Sequence, residues 1–190
     1  TILLYSWVAW SWVNAGQPQQ QQVYFNTVSD SLFWNMVDAM RRTIIAQAGL
    51  PLPSGERHYA AFEGLPFKFR NLIPLRLMLP GEQAQVVVYQ PAVWGRRLGV
   101  LRHQRAPATV VVLTPEHLLV AQDDLTSLRS AYGIIARYYP RHLVRRLMLE
   151  QTQCDLWLNV TVVQHGVEEA VRLLFEPGTE PALRTLIAQL

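Results

Sequence analysis

One cysteine, one lysine and the absence of any familiar catalytic motif mark this 190-residue chain first. The lone thiol, Cys154, excludes an intramolecular disulfide and fits a reducing, cytoplasmic setting. Lys68 is the only lysine, so positive charge is carried almost wholly by arginine. Charged residues make up 16% of the chain and the formal net charge is +3, too little by itself to build a strong field for a polyanion. Nucleic acid is therefore not an expected partner. No glycine-rich phosphate loop, G-x-S-x-G elbow or paired-histidine helix occurs. The histidines, His58, His103, His117, His142 and His165, are scattered, with no His or Cys pair at short metal-binding spacing. No metal or cofactor is expected on these grounds, and His117 and His165, at predicted turns, are expected to be solvated. Asp123-Asp124 and Glu168-Glu169 read as solvated acidic pairs, because acid–base work needs convergence in a cleft that spacing alone does not show. These absences weigh against an enzyme.

What is present is apolar and patterned. Half the residues are hydrophobic, enough for one large domain or two small ones with a real core. The centre is PATVVVLTPEHLLVAQ, Pro107 to Gln122, where two runs rich in branched residues flank a Thr-Pro-Glu-His corner; it reads as a β-hairpin. The most apolar stretch, residues 1–13, falls short of the roughly 20 residues of a membrane span and reads as a strand. Thr1 has no methionine before it, which leaves an upstream portion open. A polar loop at Asn14 to Gln22 leads to a second strand, Val23 to Val28, and Ser29-Asp30-Ser31 offers caps for an amphipathic helix. In that helix Arg41 and Arg42 fall near the C-terminal end, where cations are favoured.

Proline, glycine and aromatic residues dominate 49–71, which reads as a linker between a strand-strand-helix unit at 1–48 and a domain at 72–190. Its Tyr59 and Phe62 either strap the linker onto a neighbouring surface or mark a contact site. From Leu72, alternation of Leu75, Leu77 and Leu79 predicts a strand, and Pro80-Gly81-Glu82 a turn. Residues 143–149 suit strand or helix. Leu156 to Val162 and Val171 to Phe175 alternate as a hairpin, and Thr179 with Pro181 opens a closing helix striped by Leu183, Leu186, Ile187 and Leu190. Both ends of the chain thus read strand, turn, strand, helix.

Four features carry a resemblance: Leu79-Pro80-Gly81-Glu82; Val112-Leu113-Thr114 with His117-Leu118-Leu119-Val120; Tyr132-Gly133; and Phe175 before a helix holding Leu186 and Leu190. In this order residues 79–190 resemble the pleckstrin-homology-like superfamily, including its bacterial and GRAM-type members. The resemblance implies an α+β fold, an antiparallel split barrel or pair of orthogonal sheets with a C-terminal capping helix. The hairpin and helix at 1–48 would then be the end of a truncated first unit. With the strand-and-helix grammar, the missing catalytic signatures and the many tryptophans and tyrosines, the expectation is a non-catalytic binding or adaptor module that engages a protein partner or a second copy of itself. Trp94, Tyr59, Phe62, Trp10 and Trp12 are the expected interface aromatics. In lipid-binding members, basic side chains from the region of Arg96, Arg97, Arg102 and Arg105 hold inositol phosphates, so peripheral attachment to an anionic membrane is the alternative. By strand alternation Arg102 lies on the face opposite Arg97 and Arg105, and the four converge only with a bulge. A third expectation, an enzyme with a site between the two units, ranks last.

Overall fold

The computed structural model describes residues 21–25, 31–97, 101–123, 134–164 and 167–190. Trp10 and Trp12, the strand over 1–13, the cap at Ser29-Asp30 and the turn at His165-Gly166 lie outside the described residues. The chain is α+β with antiparallel sheets. Strand β1 (Gln21–Phe25) precedes helix α1 (Ser31–Gln47), a short 3-10 turn (Ala60–Phe62) and helix α2 (Phe67–Leu72), which continues into a π-helical turn (Ile73–Leu77). Then come β2 (Val86–Gln90), β3 (Val93–Arg97), β4 (Leu101–Ala106), β5 (Thr109–Leu113), β6 (His117–Asp123) and β7 (Ile134–Pro140). The chain closes with β8 (Val144–Gln151), β9 (Leu156–Gln164), β10 (Val167–Phe175) and helix α3 (Glu180–Gln189).

The expected central hairpin is β5–β6, and it lies in the interior of a five-stranded sheet ordered β1-β7-β6-β5-β2. All of β5 is buried because both faces of this sheet are covered, which explains a continuous valine run where one-sided burial would give alternation. On one face Val110, Val112, Leu119, Ala121 and Tyr138 meet Phe62, Phe69, Leu72, Ile73 and Leu77. On the other, Val111, Leu113, Leu118 and Val120 meet Leu158, Val160, Leu173 and Phe175 of the sheet β10-β9-β8, with Leu183 and Leu186 of α3. The closing helix therefore lies where the apolar stripe predicts, against the antiparallel core. Thr179 does not cap it with an accepted hydrogen bond; its hydroxyl donates to the Glu176 carbonyl.

Two expectations are corrected and one open alternative is settled. Leu72 to Leu77 is helical: Phe69, Leu72, Ile73 and Leu77 are spaced for one helix face, and burying that face outweighs a short alternation of leucines. Phe62 is no interface residue; it is fully buried, because the 49–71 stretch packs onto the sheet and a phenyl ring gains about 1.5–3 kcal/mol by leaving water there. Residues 144–151 resolve the open alternative as strand. The segments around α2 and β1 join the later sheet directly: β1 is an edge strand paired with β7.

β2–β5 form one long bent hairpin. β2 pairs with β5 and β3 with β4, and the bend falls at Pro91 and Pro107, prolines that donate no ladder hydrogen bond. Gln90, buried at the bend, donates to the Pro91 carbonyl and accepts from the Glu176 amide, tying the bend to the approach to α3.

Truncating the closing helix's anchor tests this packing. Leu186→Ala should cost about 2–5 kcal/mol in urea denaturation, the range for a fully buried leucine. A loss below about 1 kcal/mol would mean that α3 does not complete the core.

Candidate functional site

Two places concentrate chemistry: the outer half of the long hairpin, and a buried polar cluster under the sheet. In the hairpin, Gly95 pairs with His103, Arg96 with Arg102 and Arg97 with Leu101, and the register slips between Val93 and Trp94, leaving Arg105 as the extra residue. The bulge that convergence would need is thus present, but the described arginines are held apart. Arg105 forms a two-pronged pair with Asp155 at the β8–β9 turn, at 2.9 and 2.5 Å, while the Arg102 guanidinium sits 5.5 Å from the Trp94 ring centroid. Arg96 and Arg97 lie in the described backbone of β3. A side chain at Gly95 would collide with Arg105 Cδ at 2.7 Å and His103 Cε1 at 2.8 Å, so glycine lets both lie across the strand. Val93 and Ala106 anchor the hairpin base on Leu174 and Trp157. Trp94 is 52% exposed, and Tyr59, on the helical side, is exposed as well. No Asp or Glu occurs between Glu82 and Glu116, so four arginines stand unrelieved within the hairpin itself, more positive charge than the whole chain's net +3.

The buried cluster was not legible as a site. Arg41 comes from α1, where it reads as a helix-end cation, yet its side chain is 1% exposed. Its Nη2 donates to both Glu82 oxygens at 2.8 Å and its Nη1 to the Leu77 carbonyl at 2.9 Å; the guanidinium also covers the Tyr138 ring at 4.6 Å. Tyr138 donates to the same Leu77 carbonyl at 3.0 Å. Glu82 is placed by the expected turn: Pro80 and Gly81 occupy its corners, Gly81 has φ +83°, and the Glu82 amide donates to the Leu79 carbonyl. A Cβ on Gly81 would lie 2.2 Å from the Ser54 backbone, so only glycine lets the two chain segments cross. The Leu79 amide in turn donates to Glu82 Oε2 at 2.8 Å.

The hairpin corner supplies the other wall. Thr114 Oγ1 accepts from the amides of Glu116 and His117, fixing both residues. His117 is buried, contrary to the solvated turn residue expected, because it shares a sheet face with Leu119 and Ala121, and that face is covered. That two-residue period was the one signal in the sequence that could have found it. Its Nδ1 lies 3.8 Å from Glu82 Oε1, too far for a hydrogen bond, and has no partner. Glu82, Glu116 and His117 bring their donor atoms within 4.8 Å of one another.

Burial alone would raise the Glu82 carboxyl, but Arg41, His117 and the Leu79 amide together hold it down to about 2. Burial pushes the His117 imidazole below its ordinary value, and burial with the negative Glu82 beside it pushes Glu116 up. The buried cluster thus sets two carboxylates and an imidazole side by side, donor types suited to holding a proton or a small cation.

No family model, curated protein or solved structure matches the chain. Among the described residues no helix is long and apolar enough to cross a membrane.

The sign of the acid response follows from the shifts. A carboxyl lowered to about 2 contributes stability that is complete above its ordinary 4.5 and lost as pH falls from there toward 2. Glu82→Gln strands the buried Arg41 charge and should cost about 3–5 kcal/mol at pH 7 in EDTA. The variant should also lose most of the wild-type acid limb below 4.5; parallel pH profiles for the two proteins would sink this account. Glu116→Gln should be neutral or stabilising at pH 7, because ionised Glu116 is disfavoured where it lies.

Proposed function

We propose that the protein is a non-catalytic binding module of pleckstrin-homology-like architecture that docks peripherally on an anionic lipid surface through the β3–β4 hairpin. The observation that carries this reading is the hairpin's charge: Arg96, Arg97, Arg102 and Arg105 with no acid inside the segment. Arg96 and Arg102 are direct partners in the backbone register of β3 and β4, which concentrates positive charge along the hairpin. The exposed Trp94 next to Arg102 supplies an amphipathic ring of the kind that settles at a headgroup boundary. Arg105 is half committed, since its exposed pair with Asp155 is worth only about 0.2–1 kcal/mol and yields readily to phosphate oxygens. The sheets packed around one core, with α3 laid against both, support the architecture.

A second reading is favoured by the helical side: Phe67 is 66% exposed, and Leu52, Tyr59 and Leu75 are exposed there too, large apolar side chains suited to a protein partner or a second copy. An enzymatic reading has less support, because the convergent acid and base groups Glu82, Glu116 and His117 are buried away from any substrate.

Sedimentation with vesicles tests the first reading. Binding to phosphatidylserine-containing vesicles at low salt, and none to phosphatidylcholine alone, is expected. Each cation contributes on the order of 1 kcal/mol, so removing Arg96 and Arg97 together should weaken binding about thirty-fold. Indifference to anionic vesicles at low salt ends the lipid reading, and concentration-dependent self-association in the ultracentrifuge would then favour the second.

A further inference from the structure

We infer that Glu82, Glu116 and His117 form a site for one divalent first-row transition cation, zinc being the best fit, that clamps the β5–β6 corner onto the Leu79–Glu82 turn. The donor set is two carboxylates and one imidazole, ligands that zinc accepts with bonds of about 2.0–2.2 Å. In the tetrahedral geometry of zinc two such bonds hold their ligand atoms about 3.3–3.6 Å apart. The 3.8 Å between His117 Nδ1 and Glu82 Oε1 is too long for a hydrogen bond and lies close to that spacing. The widest separation in the trio, up to 4.8 Å, requires a contraction of about an ångström or slightly more, a movement within reach of the Glu116 side chain.

A second observation points the same way. The His117 side chain is 2% exposed, and its Nδ1 faces Glu82 with no hydrogen-bond partner, an unusual state for a buried ring nitrogen. Glu116 is held beside Glu82, and Thr114 Oγ1 donates to its Oε2 at 3.3 Å. Arg41 engages Glu82 through a single nitrogen, and the Leu79 amide holds Oε2, so Oε1 keeps capacity on the side facing His117. The ordering Thr114 Oγ1 bonds to the Glu116 and His117 amides preset the two hairpin ligands. Arg41 and Thr114 are positioning residues.

The experiment uses the full chain stripped with chelator and titrated with ZnCl2, followed by calorimetry and thermal unfolding, with Co2+ as a spectroscopic probe. One equivalent should bind, Tm should rise by roughly 5–10 °C at a hundredfold excess over Kd, and Co2+ should give the visible absorption of a low-coordinate site with nitrogen and oxygen ligands. Glu116→Gln and His117→Ala should each abolish the Tm rise and the Co2+ signal. Because Glu116→Gln should fold at least as well as wild type, its loss of binding would not be a loss of structure. The inference is overturned if neither Zn2+ nor Co2+ raises Tm, or if either variant keeps the full response, which would place the ion elsewhere, such as at Cys154 or the exposed histidines.

Discussion

The Arg41–Glu82 ion pair is the constraint on which the arrangement of this protein rests. Both side chains are withdrawn from water, and such a pair is costly unless further hydrogen bonds engage most of its remaining donors and acceptors. Most of that engagement comes from distant parts of the chain: the Leu77 carbonyl at the end of the π-helical turn, the Leu79 amide in the glycine turn, and the Tyr138 ring on β7. Helix α1, the segment leading into β2 and the five-stranded sheet are thereby held in one register. Hydrophobic burial is non-directional, whereas a buried charge that must meet its carboxylate fixes the position of α1 relative to the Leu79–Glu82 turn. The Arg41 Nε remains without a partner, so the network is close to, but not at, complete satisfaction.

Around that fixed point the two ends of the long hairpin have opposite characters. Its inner half, β2 and β5, is apolar and lies between two covered faces, while its outer half, β3 and β4, leaves the core beyond Pro91 and Pro107 and becomes arginine-rich. The outer half is stabilised by few apolar contacts, chiefly Val93 and Ala106 on Leu174 and Trp157, and by the exposed tether from Arg105 to Asp155. A charged surface placed on a lightly anchored extension of a rigid sheet can adapt to a partner without disturbing the core. The buried cluster lies on the core side of this division, where a bound cation would strengthen the scaffold and leave the arginine-rich hairpin unchanged.

Much of the strand pattern was readable because it depends on near neighbours. The runs Val110 to Leu113 and Leu118 to Ala121, the hairpin of β9 and β10, the Pro80-Gly81 turn and the stripe of α3 all obey local periods and turn chemistry. The alternation from Leu75 to Leu79 misled because a two-residue period over so few positions also fits a helix, and the partners that choose between them, Val110, Val112 and Tyr138, lie more than thirty residues away. Phe62 and His117 were misplaced for the same reason: their burial is decided by which elements land on the outer face of the five-stranded sheet.

Composition and local pattern by themselves determined an α+β chain with antiparallel hairpins, a terminal helix against the core and an arginine-rich segment free of acids. They did so because alternation, turn residues and charge runs act between neighbours along the backbone. Only the tertiary structure decided that Arg41 leaves the helix surface for Glu82, that the segment from Phe62 to Met78 covers the sheet, and that Glu82, Glu116 and His117 meet. Those outcomes depend on desolvation and on pairing between residues 34 to 41 positions apart, energies that exist only once the layers have closed and water has been expelled.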